Sequence, residues 1–418
     1  MSLNLSNIIN QTFDHSREEI LVTGLIEKLG HETFKPGLDR LQPFFSCFQE
    51  DFKQKKIVTV GGTNGKGETC YVLYDMLTRA GKKVALWTSP HILSVRERFL
   101  LPGGPVSYDE LEQSFVWAFA HIGENKLSYY EFLFLIFCRL AQKADVDIIL
   151  FEVGLGGRFD AVNIFDANVC AITSISRDHE EILGRGLKKI LFEKFGISRA
   201  NRPLVTALES STLRNYCGEL SREKNVNWID LFANGNLVIQ DDYRKRNLTL
   251  AKYVANLVTG EDFSLEIEAQ IPMKGRFEKM TRGNISFIFV GAHNLDGMRK
   301  MRDLLLAKNP ESDSELLLSF SKRSDKDIED CLNVWRETSV FEQIHVSTFE
   351  HFKSASKDLQ RIWAKNHFES KMHWCADWKE YLLEKPLKKR TNIYVAGSYY
   401  FIGEVQRFIL SHSHFFIK

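Results

Sequence analysis

Short apolar, β-branched runs alternate with longer amphipathic stretches along most of the chain. In the first half these runs read IVTVGG from residue 57, KVALWTS from 83, DIILFEVG from 147 and NVCAITSI from 168. Alternation of this kind is typical of βαβ units that build a parallel sheet. Because four consecutive positions of the run 147–153, residues 148–151, are apolar, we predict a central strand covered on both faces, one of them by a helix over 129–143.

A second α/β series follows a polar stretch that begins near residue 200. Its strand-like runs read NISFIFVG, SELLLSF, EQIHVST and NIYVAGS, with helices expected from about Leu295, near 326–337 and from about Gly403. Glycine, proline and a short charged run separate the two series, which places the hinge in 260–274.

The two series predict an α/β protein with two domains. Residues 1–265 should form an N-terminal P-loop domain with a mainly parallel sheet flanked by helices, and residues 266–418 a smaller C-terminal Rossmann-like α/β domain. The length of 418 residues agrees with this division, because single hydrophobic cores stop growing at roughly 250 to 300 residues.

Charge and cysteine content narrow the class of protein. Fifty-five basic and fifty-four acidic side chains give a net charge of +1, so no general field attracts nucleic acid or an anionic membrane. The seven cysteines are scattered and never spaced as CxxC, which argues against a disulfide framework and a zinc site. Since neither a signal peptide nor a membrane span is evident, we predict a cytoplasmic protein.

The segment VTVGGTNGKGET, residues 58–69, carries the clearest chemical signal. A predicted strand runs into a glycine-rich turn that opens a helix at Lys66, and such a turn presents backbone N–H groups and a helix N-terminus to an anion. The lysine among the glycines favours a phosphate cradle over a tight βα turn with incidental glycines. The nucleotide-binding candidates in this turn are Thr63, Asn64, Gly65, Lys66, Gly67 and Thr69.

The turn differs from the common GxxxxGK[ST] loop and resembles the GTNGKG variant of the Mur ligase superfamily. TSPH at 88–91 with SVRER at 94–98 looks like a signature of the folylpolyglutamate synthase and dihydrofolate synthase family. EVGLGGRFDA at 152–161 is similar to that family's EVGLGGRLDATN, from which it departs at Phe159 and Val162. Further matches follow in the family's order, so that the resemblance covers about residues 36 to 405.

The resemblance implies an ATP-dependent ligase that joins L-glutamate to a folate-type carboxylate, dihydropteroate or a tetrahydrofolate, through an acyl phosphate. Amide formation in water is uphill, so ATP must activate the acid, and a metal must screen the triphosphate. The implied cofactors are ATP and Mg²⁺, and the partners are small molecules, with no nucleic acid and no membrane. We expect a monomer.

The resemblance also assigns the metal site. Ser89, Glu152 and His179 match the family's magnesium ligands, and Lys194 matches a lysine carried as a carbamate that helps to hold a second metal. A buried carboxylate at the carboxyl end of a strand needs a cation, so Glu152 fits this role, with a salt bridge to Arg158 or a backbone cap as the alternative. By composition alone, His179 is equally a surface histidine and Lys194 a helix-surface lysine.

Nucleotide and pterin positions follow from the same matches. Arg276 and Asn247 match nucleotide-contacting residues, and His293 matches a histidine near the transferred phosphate. Lys66, Lys194 and His293 are thus the catalytic candidates. An aromatic face suits a flat heterocycle, although core packing explains two tyrosines on a helix as well. The pterin-binding candidates are Ser128, Tyr129, Tyr130, Glu131, Phe159, Asp160 and Ala161.

Two substitutions separate this chain from the family pattern. Glu68 stands where the family has Ser or Thr, and a carboxylate ~4 Å from a phosphate charge repels it by about 4 kcal/mol at an effective dielectric near 20, unless something intervenes. Val290 stands where the family's DGAHN has an aspartate, and valine accepts no hydrogen bond from a ribose, which costs about 1 to 3 kcal/mol. Arg177 and Glu180 are milder changes.

These departures keep a second hypothesis open, a nucleotide-binding or pterin-binding homologue with weakened or lost catalysis. A ligase of the Mur or amino-acid-polymer type finds no support in the SVRER and EVGLGG segments, and a nucleic-acid ATPase is disfavoured by the neutral charge. Dihydropteroate and folate share the pterin and differ only in the tail, so the sequence leaves the choice between them open.

Overall fold

The computed structural model describes residues 9–31, 35–124, 127–239, 242–263, 274–308, 313–336, 338–365, 371–385 and 390–412. The chain divides into two compact units, Met1–Ile271 and Pro272–Lys418. The expected boundary between residues 265 and 266 falls in 264–273, as does most of the expected hinge, and therefore lies outside the described residues. The extent of the domains stays a prediction.

The first unit contains the following helices and strands: α1 (His15–Leu29), α2 (Gln42–Lys53), β1 (Lys56–Gly61), α3 (Lys66–Arg79), β2 (Val84–Trp87), β3 (Phe99–Leu101), β4 (Gly104–Pro105), α4 (Tyr108–Ile122), α5 (Tyr129–Lys143), β5 (Ile148–Glu152), β6 (Val169–Ile172), α6 (Glu180–Leu183), α7 (Leu187–Phe195), β7 (Pro203–Thr206), α8 (Ser211–Glu223), β8 (Asn227–Asp230) and α9 (Tyr243–Thr259). Short 3-10 helices cover Asp39–Leu41, Val95–Arg98 and Ala161–Ile164.

These strands form one sheet with the order β4-β3-β2-β5-β1-β6-β7-β8. β1 lies at its centre and pairs in parallel with β5, where Val60 is opposite Glu152, and with β6, where Gly61 is opposite Ile172. β2, β7 and β8 extend the parallel part of the sheet, and β3 and β4 add an antiparallel edge. The mainly parallel sheet predicted from the sequence is confirmed.

Apolar clusters cover both faces of this sheet. Successive strand residues point to opposite faces, so Ile149 and Phe151 of β5 enter one cluster, whereas Ile148 and Leu150 enter the other. α3 and α9 cover the second face. On the first face, α5 contributes Phe134, whose ring lies near those of Phe45, Trp87, Phe137, Phe151 and Phe165. The predicted central strand and its covering helix at 129–143 are thereby confirmed.

The polar stretch after residue 200 contains regular structure that the pattern did not indicate, namely β7, α8, β8 and α9. β7 and β8 have only four residues each, and β8 is partly exposed as the edge of the sheet. A strand of four residues contains only two periods of apolar and polar alternation, which is too short to stand out. α8 presents a polar surface to solvent, so its helical periodicity is also weak.

The second unit contains β9 (Arg276–Arg282), β10 (Ile285–Val290), α10 (Leu295–Lys308), β11 (Ser314–Leu318), α11 (Asp325–Arg336), β12 (Gln343–Val346), α12 (Ser356–Lys365), β13 (Met372–Trp374), α13 (Trp378–Leu383), β14 (Thr391–Ala396) and α14 (Tyr399–Ser411). Its sheet has the order β13-β12-β11-β14-β10-β9 and is parallel except for β9. The smaller Rossmann-like α/β unit is confirmed.

The last helix begins earlier than expected. We predicted a start near Gly403, but α14 begins at Tyr399, directly after Ser398 in extended conformation. The aromatic run Tyr399-Tyr400-Phe401 has the composition of a strand, which hid the first turn of the helix.

Among the described helices, none has both the length and the apolar character that crossing a bilayer requires.

Candidate active site

Four loops of the first unit leave the sheet on the same side, at the carboxyl ends of its parallel strands; this side is called the sheet edge below. β1, β2, β5 and β6 are parallel and in register, so their carboxyl ends at Gly61, Trp87, Glu152 and Ile172 lie side by side. In α/β proteins this edge is where ligands bind. The residues that follow these ends are the phosphate loop and the loops that begin at 88, 153 and 173.

The phosphate loop, residues 62–66, is anchored on the loop after β6. Thr63 N–H donates to Ser174 O (2.7 Å) and Asn64 N–H to Ser174 Oγ (3.1 Å), while Thr63 Oγ1 exchanges hydrogen bonds with the backbone of Ser176. These two backbone donors are therefore used inside the protein rather than offered to an anion. The sequence analysis missed both serines, and the run ITSIS was the only available signal.

The N-terminus of α3 has the geometry that an anion cradle requires. Gly65 is its N-cap with φ +90°, a left-handed conformation that suits glycine, and helix geometry leaves the first-turn N–H groups without an intrahelical acceptor. Lys66 Nζ donates to Gly62 O and Thr63 O at 3.1 and 3.0 Å. Thr69 Oγ1 is buried without a hydrogen-bond partner among the described residues. A buried hydroxyl of this kind is suited to bind a phosphate oxygen or a metal ion.

Ser89 and Glu152 meet next to this cradle. Ser89 N–H donates to Glu152 Oε2 (3.1 Å), Glu152 is only 4% exposed, and Ser89 Oγ is buried without a described partner. Burial raises the pKa of the Cys70 thiol, the Glu152 carboxylate raises it further and Lys66 lowers it, so both charges lie close to this thiol. Since Arg158 pairs with Glu193 instead, the suggested salt bridge between Glu152 and Arg158 is wrong.

The SVRER segment holds the loop that carries Ser89. Glu97 accepts hydrogen bonds from the backbone N–H groups of Ile92, Leu93 and Ser94 at 2.8–2.9 Å, and its own carbonyl accepts one from the Thr88 hydroxyl. Glu97 is buried, so these hydrogen bonds are sheltered from water and hold the loop in place.

His179 lies at the N-cap of α6 with φ +53° and a side chain 49% exposed. Its ring nitrogens lie 3.5 Å from Glu181 Oε1 and 3.9 Å from Asp178 Oδ1. Within the described ranges, no group of three His, Cys, Asp or Glu side chains is arranged to hold a metal. Metal binding at Ser89, Glu152 and His179 therefore stays a prediction.

Lys194 is buried in α7 and only 4% exposed, so the alternative of a helix-surface lysine is wrong. Burial, followed by the positive charge of Lys66, lowers its pKa to about 7, while Asp178 and Asp160 act in the opposite direction. The helix can approach this closely because Gly157 has no side chain: a Cβ there would lie 2.8 Å from Glu193 O and 3.0 Å from Lys194 Cα. Lys194 thus reaches the charged groups at the sheet edge.

Asp160 organises the loop after β5. Its carboxylate accepts hydrogen bonds from Gly154 N–H, Leu155 N–H, Val162 N–H and the Tyr130 hydroxyl at 2.9–3.1 Å. Burial raises the pKa of this carboxyl, and these hydrogen bonds oppose the rise. Four donors match the number of acceptor positions that a carboxylate offers.

The other pterin candidates divide into two groups. Ser128 and Glu131 form a capping box at the start of α5, and Glu131 also pairs with Arg40. Tyr129 is buried next to them. Phe159 is instead partly exposed and lines a cavity of about 330 Å³, whose other lining residues are Pro36, Leu155, Gly156, Gly157, Arg158, Ile182, Leu183 and Glu193. Pterin binding at these positions stays a prediction.

Glu68 faces α9. Its Oε2 accepts a hydrogen bond from Asn247 Nδ2 (2.7 Å), and its Oε1 lies 4.0 Å from Arg244 Nε. The residue is 8% exposed. Two groups on α9 thus face this carboxylate, and the sequence analysis had not foreseen either contact.

The second unit brings its predicted residues to the end of β10. Arg276 donates to the Tyr399 hydroxyl, and His293 lies with its ring centroid 5.1 Å from that of Tyr399. Phe277, next to Arg276, has φ +56°, an uncommon conformation for a bulky residue. The sequence analysis missed Tyr399, although GS at 397–398 directly precedes it. Val290 is buried in the apolar cluster of this unit, so its side chain serves packing.

No protein-family model matches the chain. A dihydrofolate synthase/folylpolyglutamate synthase from Haemophilus influenzae is 41% identical over 178 residues, 41% of this chain and 40% of that protein. The enzyme of the same name from Bacillus subtilis is 26% identical over 416 residues, which cover 89% of this chain and 95% of that protein. The chain matches 40, 44 and 49% of the length of the first three curated relatives.

Solved structures agree with these relatives. A bifunctional folylpolyglutamate synthase/dihydrofolate synthase with Mn, AMPPNP and L-glutamate bound is 26% identical, with a TM-score of 0.74. The superposition covers 92% of this chain and 97% of that one. The structural similarity therefore extends over both units, whereas the sequence alignments with the first three curated relatives cover only part of the chain.

We expect Lys194 to make stability depend on pH. Between pH 7 and about 10.5 the unfolded chain holds a proton on this amine that the folded chain releases, so stability rises with pH in that window and is constant below it. In Lys194→Met this rise should be absent. Urea unfolding midpoints at pH 7 and pH 9.5, in buffer freed of carbon dioxide, measure the effect. Identical pH dependence in both proteins would contradict it.

Proposed function

We propose that this chain is a member of the folylpolyglutamate synthase/dihydrofolate synthase family of the Mur ligase superfamily and, like those relatives, an ATP-dependent ligase. It forms an amide bond between L-glutamate and a folate-type carboxylate, dihydropteroate or a tetrahydrofolate. The observation that carries this proposal is the meeting of the phosphate loop, the Ser89–Glu152 pair and the buried Lys194 at one edge of the first sheet.

The reaction has two balanced steps. The γ-phosphoryl group passes from ATP to a carboxylate oxygen of the acid, and ADP leaves. The glutamate amine then attacks the acyl carbon, phosphate leaves with that oxygen, and the amine loses a proton. In the first step the N-terminus of α3 and Lys66 face the charge of the transferred group, which such fixed positive groups stabilise.

Glu152 and Ser89 supply the ligands for Mg²⁺. The fit rests on a buried carboxylate and on a buried Ser89 hydroxyl that lacks a described partner. When bound, the metal screens the triphosphate and polarises its oxygens. His179, the third predicted ligand, keeps that role as a proposal.

Lys194 is suited to carry a carbamate. Only a neutral amine adds to carbon dioxide, and a pKa of about 7 leaves a large share of this amine neutral at physiological pH. The product is an anion, which exchanges an unfavourable contact with Lys66 for a favourable one. It would also offer oxygens to a second cation.

The remaining residues keep their predicted functions as part of this proposal. The cavity beside Phe159 is suited to a flat, partly apolar acid. Asn247 and Arg276 keep their predicted role of contacting the nucleotide, and His293 keeps its predicted place near the transferred phosphate. We also propose that the protein is a cytoplasmic monomer.

The alternative of an inert homologue loses much of its basis. It depended on Glu68 as a charge that repels the triphosphate, whereas this carboxylate is hydrogen-bonded to Asn247 and close to Arg244. Val290 remains a difference from the family, and we expect it to lower nucleotide affinity without removing activity.

The function is tested by phosphate release. Purified protein with Mg²⁺, ATP and L-glutamate should release phosphate only when dihydropteroate or tetrahydrofolate is added, and Lys66→Ala should lower the rate at least a hundredfold, since one donor to a developing charge contributes about that factor. Comparing the two acids assigns the substrate. Phosphate release in the absence of both acids would refute the proposal. So would a lack of phosphate release with either acid.

Glu152→Gln should raise the Mg²⁺ concentration for half-maximal rate by about ten- to hundredfold, because an amide binds a divalent cation more weakly than a carboxylate. Asp75→Asn changes a buried acid elsewhere, on α3; it is the matched control and should leave this concentration unchanged. A Mg²⁺ requirement equal to wild type in Glu152→Gln would place the metal elsewhere.

The carbamate is tested with isotope-labelled bicarbonate. The wild-type protein should give a carbamate carbonyl signal by NMR that Lys194→Met lacks, and its activity should fall after degassing and return with bicarbonate. Activity that is independent of bicarbonate, together with no labelled signal, would exclude the modification.

A further inference from the structure

Glu68 determines the orientation of the Asn247 side chain. A carboxylate only accepts hydrogen bonds, whereas an asparagine amide has one donating and one accepting end. The 2.7 Å contact between Glu68 Oε2 and Asn247 Nδ2 therefore directs the amide nitrogen to Glu68 and the amide oxygen away from it. Both side chains are buried, so this contact is sheltered from water.

The Asn247 amide also lies close to the phosphate loop. A Cβ added to Gly65 would lie 2.6 Å from Asn247 Oδ1 and 2.9 Å from Asn247 Nδ2. Asn247 thus fills the space that a side chain at position 65 would need. Gly65 is the N-cap of α3, so the amide packs directly against the residue where the anion cradle begins.

Glu68 itself sits in a favourable electrostatic position. It occupies the first turn of α3, where the helix dipole favours an acid, and Arg244 Nε lies 4.0 Å from its other oxygen. The carboxylate is thus held from two sides by the first turns of α9. A serine or threonine at position 68 is too short to reach both groups.

We propose that Glu68 is a positioning residue for the nucleotide: through Asn247 it fixes the phosphate loop at Gly65 and presents the Asn247 amide in one orientation. This inference rests on the proposed function and deepens it. The direction in which nucleotide affinity changes distinguishes this positioning role from simple repulsion of the triphosphate by Glu68. If Glu68 repelled the triphosphate, removing its charge would tighten nucleotide binding, whereas loss of the positioning contact weakens it.

The test is isothermal titration calorimetry of wild-type protein and variants with AMPPNP and Mg²⁺. Glu68→Ala should bind about tenfold more weakly, the amount that a hydrogen bond to a charged group contributes. Asn247→Ala should lose at least as much, and the double variant should lose no more than Asn247→Ala alone, because both act through one contact. Glu68→Gln keeps an acceptor and should stay within about threefold of wild type.

Asp75→Ala is the matched control, since it removes another buried acid from α3, and its affinity should equal wild type. In turnover, Glu68→Ala should raise the KM for ATP and leave the KM for glutamate unchanged, which a general loss of folding would not do. If Glu68→Ala does not fold, the affinities of the two single variants Glu68→Gln and Asn247→Ala provide the test.

Equal or tighter binding by Glu68→Ala, or tighter binding by Glu68→Gln, would overturn the inference. Wild-type protein that binds no nucleotide would refute the proposed function instead. Wild-type binding with an unaffected Glu68→Ala would refute only the role of Glu68.

Discussion

The parallel pairing of β1 with β5 and β6 is the constraint on which the candidate site depends. Because three neighbouring strands run in the same direction and in register, the phosphate loop, Glu152 and the loop after β6 leave the sheet at the same level. The hydrogen bonds from Thr63 and Asn64 to Ser174 then join two of these loops. A shift of either pairing by one residue would separate the loops and turn their side chains to the other face.

Local features of the site could be predicted from the sequence, and contacts between distant segments could not. The glycine-rich turn at Lys66 is encoded within a dozen residues, and so is the helix that follows it. The effect of Glu68 depends on Asn247, which lies 179 residues further along the chain. Its charge could be judged from the sequence, but the group that it faces could not.

Lys194 illustrates the same limit in another way. Its position in the pattern of α7 does not distinguish an exposed lysine from a buried one. Burial follows from the close approach of the EVGLGG loop, which the sequence analysis identified only as a family motif. The fold class and the positions of most strands along the chain were predictable because alternation is a repeated signal, while the short strands β7 and β8 gave too little of it.

The tight packing of Gly157 on α7 has a genetic consequence. Any missense change at this codon that adds a side chain must displace the helix backbone at Glu193 and Lys194. The lysine would keep its chemical identity and lose its place at the sheet edge. Such a variant would be recorded as a loop substitution, yet its damage would arise from a residue that the mutation leaves intact.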